Sequence, residues 1–469
     1  MEYIQLKEQV KQELPVNVEI EEEDNLLELG LDSLKIMRLV NTWRKQGIRI
    51  PYGHLMEQPT LKHWWQLIQK RMKNKKNNNI FCDNKNNVEI NNVAFPLTDV
   101  QYAYKIGREK GQELGNIGCH AYLEFSGENV DSNKLKQAWN LLQYHHPMLR
   151  ARFLDNGLQE IMEKPYCENI EVIDLSENPK FEEILEQKRL ELSHRKLKVE
   201  EGQVAALTCC ILPERKTRIL FELDLLVADV QSMQIILRNL ATAYIGRELP
   251  EESKNWNFGV YLENQHKDEA EERKLAKEYW NKRVQDMPLG PELPLAKKPS
   301  NITEMKFNRR IVRLQKEEWE VLQRKAAENQ ITPAILLLSA YAYVLERWSS
   351  NKKFVINIPF FNRKTEYPGI EEVVADFTTL LLLEINLEKK KTFKEVVEMI
   401  KKQLYQDMKY TSYSGVQVQR DIAQLSGERQ IIAPVVFACN LGTPLVNNEF
   451  KDNLGKFSYM ISQTPGIWL

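Results

Sequence analysis

The sequence predicts a small all-α domain of four helices over residues 1–73, followed by a large α/β domain from residue 93 onward. Three observations lead to this prediction. Apolar residues recur at helical spacing in the first segment. A stretch rich in asparagine and lysine, residues 74–92, has no apolar periodicity and predicts a linker. Beyond it, helical and strand patterns alternate along two successive halves, which we place at residues 93–267 and 268–469.

Composition narrows the class of protein. The 469 residues allow about three domains at roughly 150 residues each. The net charge of −1 argues against nucleic acid as the main partner. No run of about 18 apolar residues occurs, and the N-terminus does not resemble a signal peptide, so we expect a cytoplasmic protein with no membrane partner. The 6 cysteines lack metal-ligand spacing, which predicts reduced thiols and no metal site.

Helix and strand patterns place the individual elements. In the small domain, one helix ends near Pro15, a second covers residues 33–46, and a third begins at Pro59 and Thr60. In the large domain, the predicted helices cover residues 130–144, 230–244, 333–348 and 393–408. The predicted strands cover residues 218–226, 354–359, 377–384 and 434–438.

The small domain is organised around a serine in the sequence GLDSL, residues 30–34. Ser33 stands at the start of the second predicted helix, where free backbone N–H groups and the helix dipole favour an anion such as a phosphate ester. The alternative is that Ser33 only caps this helix. The linker that follows the domain predicts a flexible tether whose ends lie about 25 Å apart on average. Such a tether would let a group on Ser33 reach several sites.

A second candidate site lies where the strand predicted over residues 218–226 meets the next helix. The strand delivers Asp224 to its end, and Asp229 and Ser232 follow at the start of the helix. Two carboxylates this close favour an acid/base pair, because mutual repulsion separates their pKa values. The alternative is structural, with one carboxylate capping the helix and the other in an ion pair, and we favour a structural role for Asp229.

The small domain resembles the acyl and peptidyl carrier proteins through GLDSL and the helix behind it. Residues 41–45, Pro59-Thr60 and Trp64-Trp65 are similar to the aryl carriers of siderophore synthetases. This resemblance implies a 4′-phosphopantetheine arm on Ser33, attached by a phosphopantetheinyl transferase. It also implies an adenylating ligase that loads an aryl acid onto the arm.

The large domain resembles the heterocyclization branch of the condensation domains of nonribosomal peptide synthetases. The branch has two aspartates five residues apart and a serine three further on, which Asp224, Asp229 and Ser232 match. Further segments occur in the family order: 95–108, 146–159, 289–299, 332–348, 375–378, 434–437 and 462–465. The resemblance implies two chloramphenicol-acetyltransferase-like lobes in a V, with a tunnel reached by a carrier from each face.

The same resemblance implies roles for individual residues. Arg150 is the expected ion-pair partner of Asp229, and Thr378 and Asn440 are expected to line the site. Asp224 is the candidate for proton handling. The pair His145-His146 is similar to the paired histidines of ordinary condensation domains, but it lacks the trailing Asp-Gly and lies in an earlier segment. We therefore expect these histidines to be structural.

Together these features predict a synthetase segment that condenses a carrier-bound aryl acid with a Cys, Ser or Thr on a downstream aminoacyl carrier and then closes a thiazoline or oxazoline. Two departures favour other outcomes. Ala438 stands where the family has a threonine, and the chain stops at Leu469, before the expected last aspartate, which suggests truncation. A condensation-only enzyme, a catalytically silent docking module and a self-standing acyltransferase remain open. The sequence does not distinguish between aryl acids or between acceptors.

Overall fold

The computed structural model describes most of the chain. The described residues are 2–14, 19–27, 29–31, 35–36, 39–40, 42–43, 46, 48, 50, 52–74, 94–250, 256–268, 270–361, 363, 367, 369–389, 392–426, 432–442 and 444–467. Ser33 and residues 75–92 of the predicted linker lie outside this set. Within these ranges, no helix combines the length and apolar character needed to span a membrane.

The elements of the described residues are numbered in chain order. The helices are α1 (Tyr3–Glu13), α2 (Tyr52–Glu57), α3 (Leu61–Asn74), α4 (Asp99–Gly107), α5 (Ser132–His145), α6 (Phe181–Leu192), α7 (Val230–Tyr244), α8 (Phe258–Asp268), α9 (Ala270–Val284), α10 (Lys316–Glu328), α11 (Pro333–Trp348), α12 (Phe393–Asp407), α13 (Gly415–Ser426) and α14 (Asn448–Asn453). The strands are β1 (Phe95–Pro96), β2 (His120–Glu128), β3 (Ala151–Phe153), β4 (Leu158–Ile161), β5 (Glu171–Asp174), β6 (Ala205–Ile211), β7 (Lys216–Asp224), β8 (Lys353–Phe361), β9 (Thr378–Asn386) and β10 (Lys456–Gln463).

Two tryptophans form the centre of the small domain. Trp43 and Trp64 are fully buried and meet edge to face, with ring centroids 5.6 Å apart. Each indole N–H has an acceptor, since Trp43 donates to Gln9 Oε1 at 2.8 Å and Trp64 donates to the Leu55 carbonyl at 2.8 Å. Such satisfied indoles are typical of a well-packed core. The predicted helix 33–46 lies mostly outside the described residues, and α2 is an additional helix that the sequence pattern did not reveal.

The first half of the large domain is built on a five-stranded sheet with the order β10-β2-β7-β6-β5. β2 and β7 pair antiparallel along their full lengths, so that His120 lies opposite Asp224. One face of the sheet packs on α5 and α7 in a core that includes Trp139 and Phe221. β10 comes from the far end of the chain and pairs antiparallel with β2. The first half therefore takes its edge strand from the second.

The second half contains the antiparallel pair β8 and β9, with Lys353 opposite Asn386 and Phe361 opposite Thr378. Helices α11 and α12 pack on this pair in a second core. The prediction of a strand over residues 434–438 is wrong, because the segment makes only one isolated parallel bridge, between Val436 and Asn357. Other predicted elements lie within a few residues of their observed bounds, and α7 and α11 are confirmed at the predicted residues.

Candidate functional site

Ser33 lies outside the described residues, and the described residues on either side of it are held by the small domain. Leu31 is buried and precedes the serine, and the buried Ile36 follows it. Gly30 adopts a φ of +105°, a conformation that favours glycine, and its carbonyl accepts a hydrogen bond from Lys35 Nζ at 2.9 Å. A phosphodiester needs a hydroxyl and is favoured by a nearby cation, which Ser33 and Lys35 provide. These residues fit a covalent phosphopantetheine.

The small domain packs against the second half of the large domain. α2 lies on α12 and on the 3₁₀ turn Met408–Tyr410 that follows it. The buried apolar cluster of the small domain continues into the large domain through five residues, here called the docking surface: Ala326, Ile331, Ile335, Val397 and Tyr405. The small domain is therefore held beside the segment that continues from this turn.

Val397→Asp is expected to detach the small domain. Val397 is 5% exposed in the docking surface, and a carboxylate buried there without a partner is strongly unfavourable. Small-angle X-ray scattering should show a larger radius of gyration than for the wild type. The matched control is Val344→Asp on α11, where the side chain is 55% exposed and the profile should not change. An unchanged profile for Val397→Asp, in a variant that still unfolds cooperatively, would contradict the contact.

Asp224 forms a buried ion pair with Arg108. Arg108 Nη1 donates to Asp224 Oδ2 at 2.6 Å, and the Leu226 N–H donates to Asp224 Oδ1 at 3.2 Å. Burial raises the pKa of Asp224, and the Arg108 charge opposes that rise. Gly118 leaves the room for this pair, because a Cβ there would lie 2.8 Å from Arg108 Nη1. The paired arginine favours the ionised carboxylate.

Asp229 and Ser232 belong to a separate network. Asp229 Oδ1 accepts from the Ser232 N–H at 2.6 Å and so caps α7. Arg363 Nη2 donates to Asp229 Oδ1 at 2.8 Å and to Ser232 Oγ at 2.7 Å. Ser232 Oγ donates to the Ala375 carbonyl at 2.7 Å. This network joins the start of α7 to residues of the second half, as the structural alternative for Asp229 requires.

The ion-pair partner predicted for Asp229 is wrong. Arg150 follows α5 in a 3₁₀ turn, and its guanidinium donates to the carbonyls of Gln143, at 3.1 Å, and Met162, at 2.6 Å. Arg363 forms the ion pair with Asp229 that was predicted for Arg150. The buried His146 Nε2 accepts from Asn239 Nδ2 at 3.1 Å, a contact of the kind expected for a structural histidine.

A cavity of about 130 Å³ lies between α4, α8 and the start of β9. Its lining combines aromatic rings with hydroxyls and carboxyls: Leu97, Thr98, Asp99, Val100, Phe258, Tyr261, Leu262, Gln265, Arg273, Asp376, Phe377, Thr378, Thr379, Thr411, Ser412 and Ser414. Thr378 is the predicted site residue that the structure brings to this cavity. Asp224, Asp229, Ser232 and Asn440 are outside its lining, and Asn440 is exposed.

The cavity wall is held in place by local features of the sequence. Thr98 and Gln101 form a reciprocal cap at the start of α4, with Thr98 Oγ1 accepting from the Gln101 N–H at 3.0 Å. Ser414 Oγ donates to Asp99 Oδ2 at 3.1 Å and ties this helix to the segment that follows the 3₁₀ turn. The part of the chain that contacts the small domain therefore continues directly into the cavity wall.

Asp376 is a cavity residue that the sequence-based predictions missed. It is 1% exposed, and its Oδ1 accepts from the Thr378 N–H at 3.0 Å. The signal was present, because this carboxyl stands between Ala375 and Phe377, where an apolar residue would suit a buried strand entry. Among the described residues, no group of three or more His, Cys, Asp or Glu side chains is placed to hold a metal ion.

A small helical domain with the sequence GLDSL, followed by a large α/β domain with this cavity, fits a carrier domain joined to an acyl-transfer domain. Residues 109–465 match the condensation domain family, and residues 5–68 match the phosphopantetheine attachment site. The chain belongs to the condensation domain family of the nonribosomal peptide synthetases. Within the chain, a phosphopantetheine-bearing carrier domain precedes the condensation domain.

The relatives come from synthetases. Pyochelin synthetase PchE of Pseudomonas aeruginosa is 35% identical over 454 residues, covering 96% of this chain and 31% of that protein. Phenyloxazoline synthase MbtB of Mycolicibacterium paratuberculosis is 32% identical over 472 residues, covering 99% of this chain and 40% of that protein. This chain therefore spans only about a third of the length of these curated relatives.

A solved structure agrees with the fold of the large domain. The monoclinic crystal form of the EpoB cyclization-docking bidomain from Sorangium cellulosum superposes with a TM-score of 0.73 at 30% identity. The match covers 80% of this chain and 76% of that chain. The large domain therefore has the condensation-domain fold.

Proposed function

We propose that the chain joins an aryl acid held on Ser33 to a cysteine, serine or threonine held on a downstream carrier, and then closes a thiazoline or oxazoline ring. A bound phosphopantetheine supplies a thiol that holds the acyl group as a thioester. The names of the similar proteins support ring closure, since one relative is a phenyloxazoline synthase and the similar solved structure is a cyclization-docking bidomain. The resemblance of the small domain to aryl carriers supports a place in siderophore assembly.

The observation that carries this proposal is the continuity between the docking surface and the cavity. The 3₁₀ turn Met408–Tyr410 contacts α2 of the small domain, and Thr411, Ser412 and Ser414 line the cavity directly after it. The small domain therefore contacts the segment that continues into the cavity wall. Holding two tethered substrates at one site supplies proximity, which can contribute much of the rate gain in acyl transfer.

The reaction begins when the acceptor amine attacks the thioester carbonyl. In the proposal, the aromatic rings of Phe258, Tyr261 and Phe377 enclose the substrates, and Thr378 lines their path. Asp224 handles a proton, and Asp229 and Ser232 hold the two halves together through Arg363. Asn440 lies outside the cavity lining and is retained as a candidate site residue on family position alone. We also propose that the lobes form a V divided near residue 267, and that the carrier is a four-helix bundle ending near residue 73.

Mass spectrometry tests the proposal. Ser33 would be converted to the pantetheinylated form with a phosphopantetheinyl transferase, loaded with salicylate through an aryl-acid adenylating ligase, and mixed with a cysteinyl thioester. A product lighter than the amide by one water supports ring closure. Amide alone would support a condensation-only enzyme, which Ala438 favours because it has no hydroxyl to orient a water or a proton.

Asp224→Asn is expected to lower product formation while the chain stays folded. The single amide oxygen can accept from Arg108 or from the Leu226 N–H but not from both, and the amide cannot exchange a proton at neutral pH. Single-turnover rates of the loaded protein measure the effect, and circular dichroism checks the fold. Unchanged rates with the carrier still bound would favour the silent docking module. General acid–base groups typically contribute about 10²-fold or more.

A further inference from the structure

The 3₁₀ turn Met408–Tyr410, which contacts the small domain, is also held by α9. Trp280 Nε1 donates to the Tyr410 carbonyl at 3.0 Å, and Trp280 is 1% exposed. The Tyr279 ring stacks on the Tyr410 ring, with the ring centroids 4.0 Å apart and the ring planes inclined by 10°. Two consecutive residues of α9 therefore hold both the backbone and the side chain of Tyr410.

A buried carboxylate ties the same helix to the residue that precedes the turn. Asp407 ends α12 and is fully buried, and its Oδ1 accepts from Tyr279 Oη at 2.5 Å and from Arg283 Nη1 at 2.5 Å. Gln403 Nε2 donates to the same oxygen at 2.8 Å. Hydrogen bonds to an ionised group are shorter and stronger than those between neutral groups. Because Met408 follows Asp407 directly, α9 also holds the start of the turn.

Met408 and Leu404 connect the contacts of α9 with those of the small domain. Both side chains pack on the buried apolar cluster that contains the docking surface. Both also pack on a second cluster, to which Ala276 and Trp280 of α9 belong. A displacement of the turn would therefore disturb the contacts on both sides.

The same helix reaches the cavity. Arg273, less than two helical turns before Tyr279, belongs to the cavity lining. At about 1.5 Å of rise per residue, the two positions lie about 9 Å apart along the helix axis. Thr411 and Ser412 line the cavity directly after the 3₁₀ turn. The turn that the small domain contacts is therefore held by a helix that also forms part of the cavity wall.

We propose that Tyr279, Trp280 and Arg283, here called the α9 brace, are positioning residues that hold the turn Met408–Tyr410 in the conformation to which the small domain docks. Without the brace, docking would have to order the turn at the moment of contact, and ordering a segment of chain costs conformational entropy. The inference goes beyond the proposed function, because it concerns docking and assigns the brace no part in the chemistry.

Tyr279→Leu is the principal test, because it removes the stacked ring and one donor to Asp407 from a half-buried position. Tyr279→Phe is the conservative variant, since it keeps the ring and removes only the hydroxyl. The matched control is Tyr144→Leu on α5. Tyr144 Oη donates to Glu168 Oε1 at 2.6 Å, so this control removes a ring and a carboxylate contact from a residue of the first half. Circular dichroism checks that each variant is folded.

Small-angle X-ray scattering of the full chain measures docking. The wild type gives the docked profile and Val397→Asp the detached one, and a temperature series below the unfolding transition gives the docked fraction of each variant. We expect Tyr279→Leu to lower the docking equilibrium constant about tenfold, which is the upper end of the range for one aromatic pair. Tyr279→Phe should show a smaller loss, and Tyr144→Leu should coincide with the wild type.

A kinetic comparison separates positioning from a general structural effect. Transfer of a salicyl group from the arm on Ser33 to the cysteinyl thioester needs docking, whereas salicyl-N-acetylcysteamine, a soluble thioester, supplies the same group to the unmodified chain without it. We expect Tyr279→Leu to slow amide formation from Ser33 about tenfold and to leave the soluble reaction within about twofold of the wild type. Equal slowing of both reactions would overturn the positioning role.

The outcomes distinguish the brace from the proposed function. If folded Tyr279→Leu matched the docked fraction of the wild type at every temperature, the brace would be overturned and the proposed function would stand. A wild type that forms no amide from either donor would overturn the proposed function, on which the kinetic comparison rests. The scattering comparison would still decide the role of the brace.

Discussion

Ser33→Ala is expected to abolish product formation from a carrier-bound aryl substrate, because the substitution removes the oxygen to which the phosphopantetheine is attached. Intact-protein mass spectrometry should show no mass increase when the variant is incubated with a phosphopantetheinyl transferase and coenzyme A. No amide or ring should then form after addition of the adenylating ligase and salicylate. The buried Leu31 and Ile36 on either side should keep the small domain folded.

Thr60→Ala is the matched control for this prediction. Thr60 Oγ1 accepts from the His63 N–H at 3.2 Å at the start of α3, so its loss removes a helix-start hydroxyl from the same domain. We expect about 1 kcal/mol lower stability but full modification of Ser33. If Ser33→Ala behaved like Thr60→Ala in both assays, Ser33 would be only a helix cap. Turnover of Ser33→Ala with a soluble acyl-CoA would instead favour the self-standing acyltransferase.

Arg363→Met is expected to lower the free energy of unfolding by about 3–5 kcal/mol, because removing one partner of a buried pair leaves the other charge uncompensated. Asp229 would lose its cation, and the carbonyls of Ile370 and Val373 would lose their donor. The guanidinium also lies 4.3 Å from the centre of the Phe377 ring in the cavity lining. Guanidinium chloride denaturation followed by tryptophan fluorescence measures the loss.

The control for this variant is Arg247→Met. Arg247 pairs with Glu449 at 2.6 Å, but its side chain is 69% exposed, and such pairs contribute about 0–1 kcal/mol. A second comparison, Asp229→Asn, keeps an acceptor for the Ser232 N–H. If Arg363→Met were as stable as Arg247→Met, the network would not hold the two halves together, and Asp229 would become a candidate for chemistry.

Sequence patterns were sufficient to predict those helices whose ends are determined by local features such as a capping residue. α7 begins after Asp229 and α11 begins after Thr332, and both residues cap their helices through side-chain oxygens. The apolar spacing behind each cap then determines the face that is buried. α2 has six residues, too few for a periodic pattern, and the segment around Val436 has strand-like residues but makes only one bridge.

The contacts within the site were harder to predict from the sequence, because they join residues that are far apart in the chain. Asp229 and Arg363 are 134 positions apart, and no local pattern indicates that they meet. The family resemblance predicted Arg150 as the partner of Asp229, but the Arg150 side chain donates to nearby backbone carbonyls. Asp376 was visible as part of a family segment, but its place in the cavity lining follows only from the packing of α4, α8 and β9.

The position of β10 has a consequence for how this protein is made and rearranged. During synthesis the small domain can fold as soon as it leaves the ribosome, whereas the first sheet stays incomplete until residue 463 has emerged. A nascent chain therefore exposes the edge of β2 until β10 has been made, which creates an aggregation risk for partially made protein. Chimeric synthetases that exchange the first lobe should carry β10 with it, since a graft of residues 93–267 alone would leave that edge without its native strand.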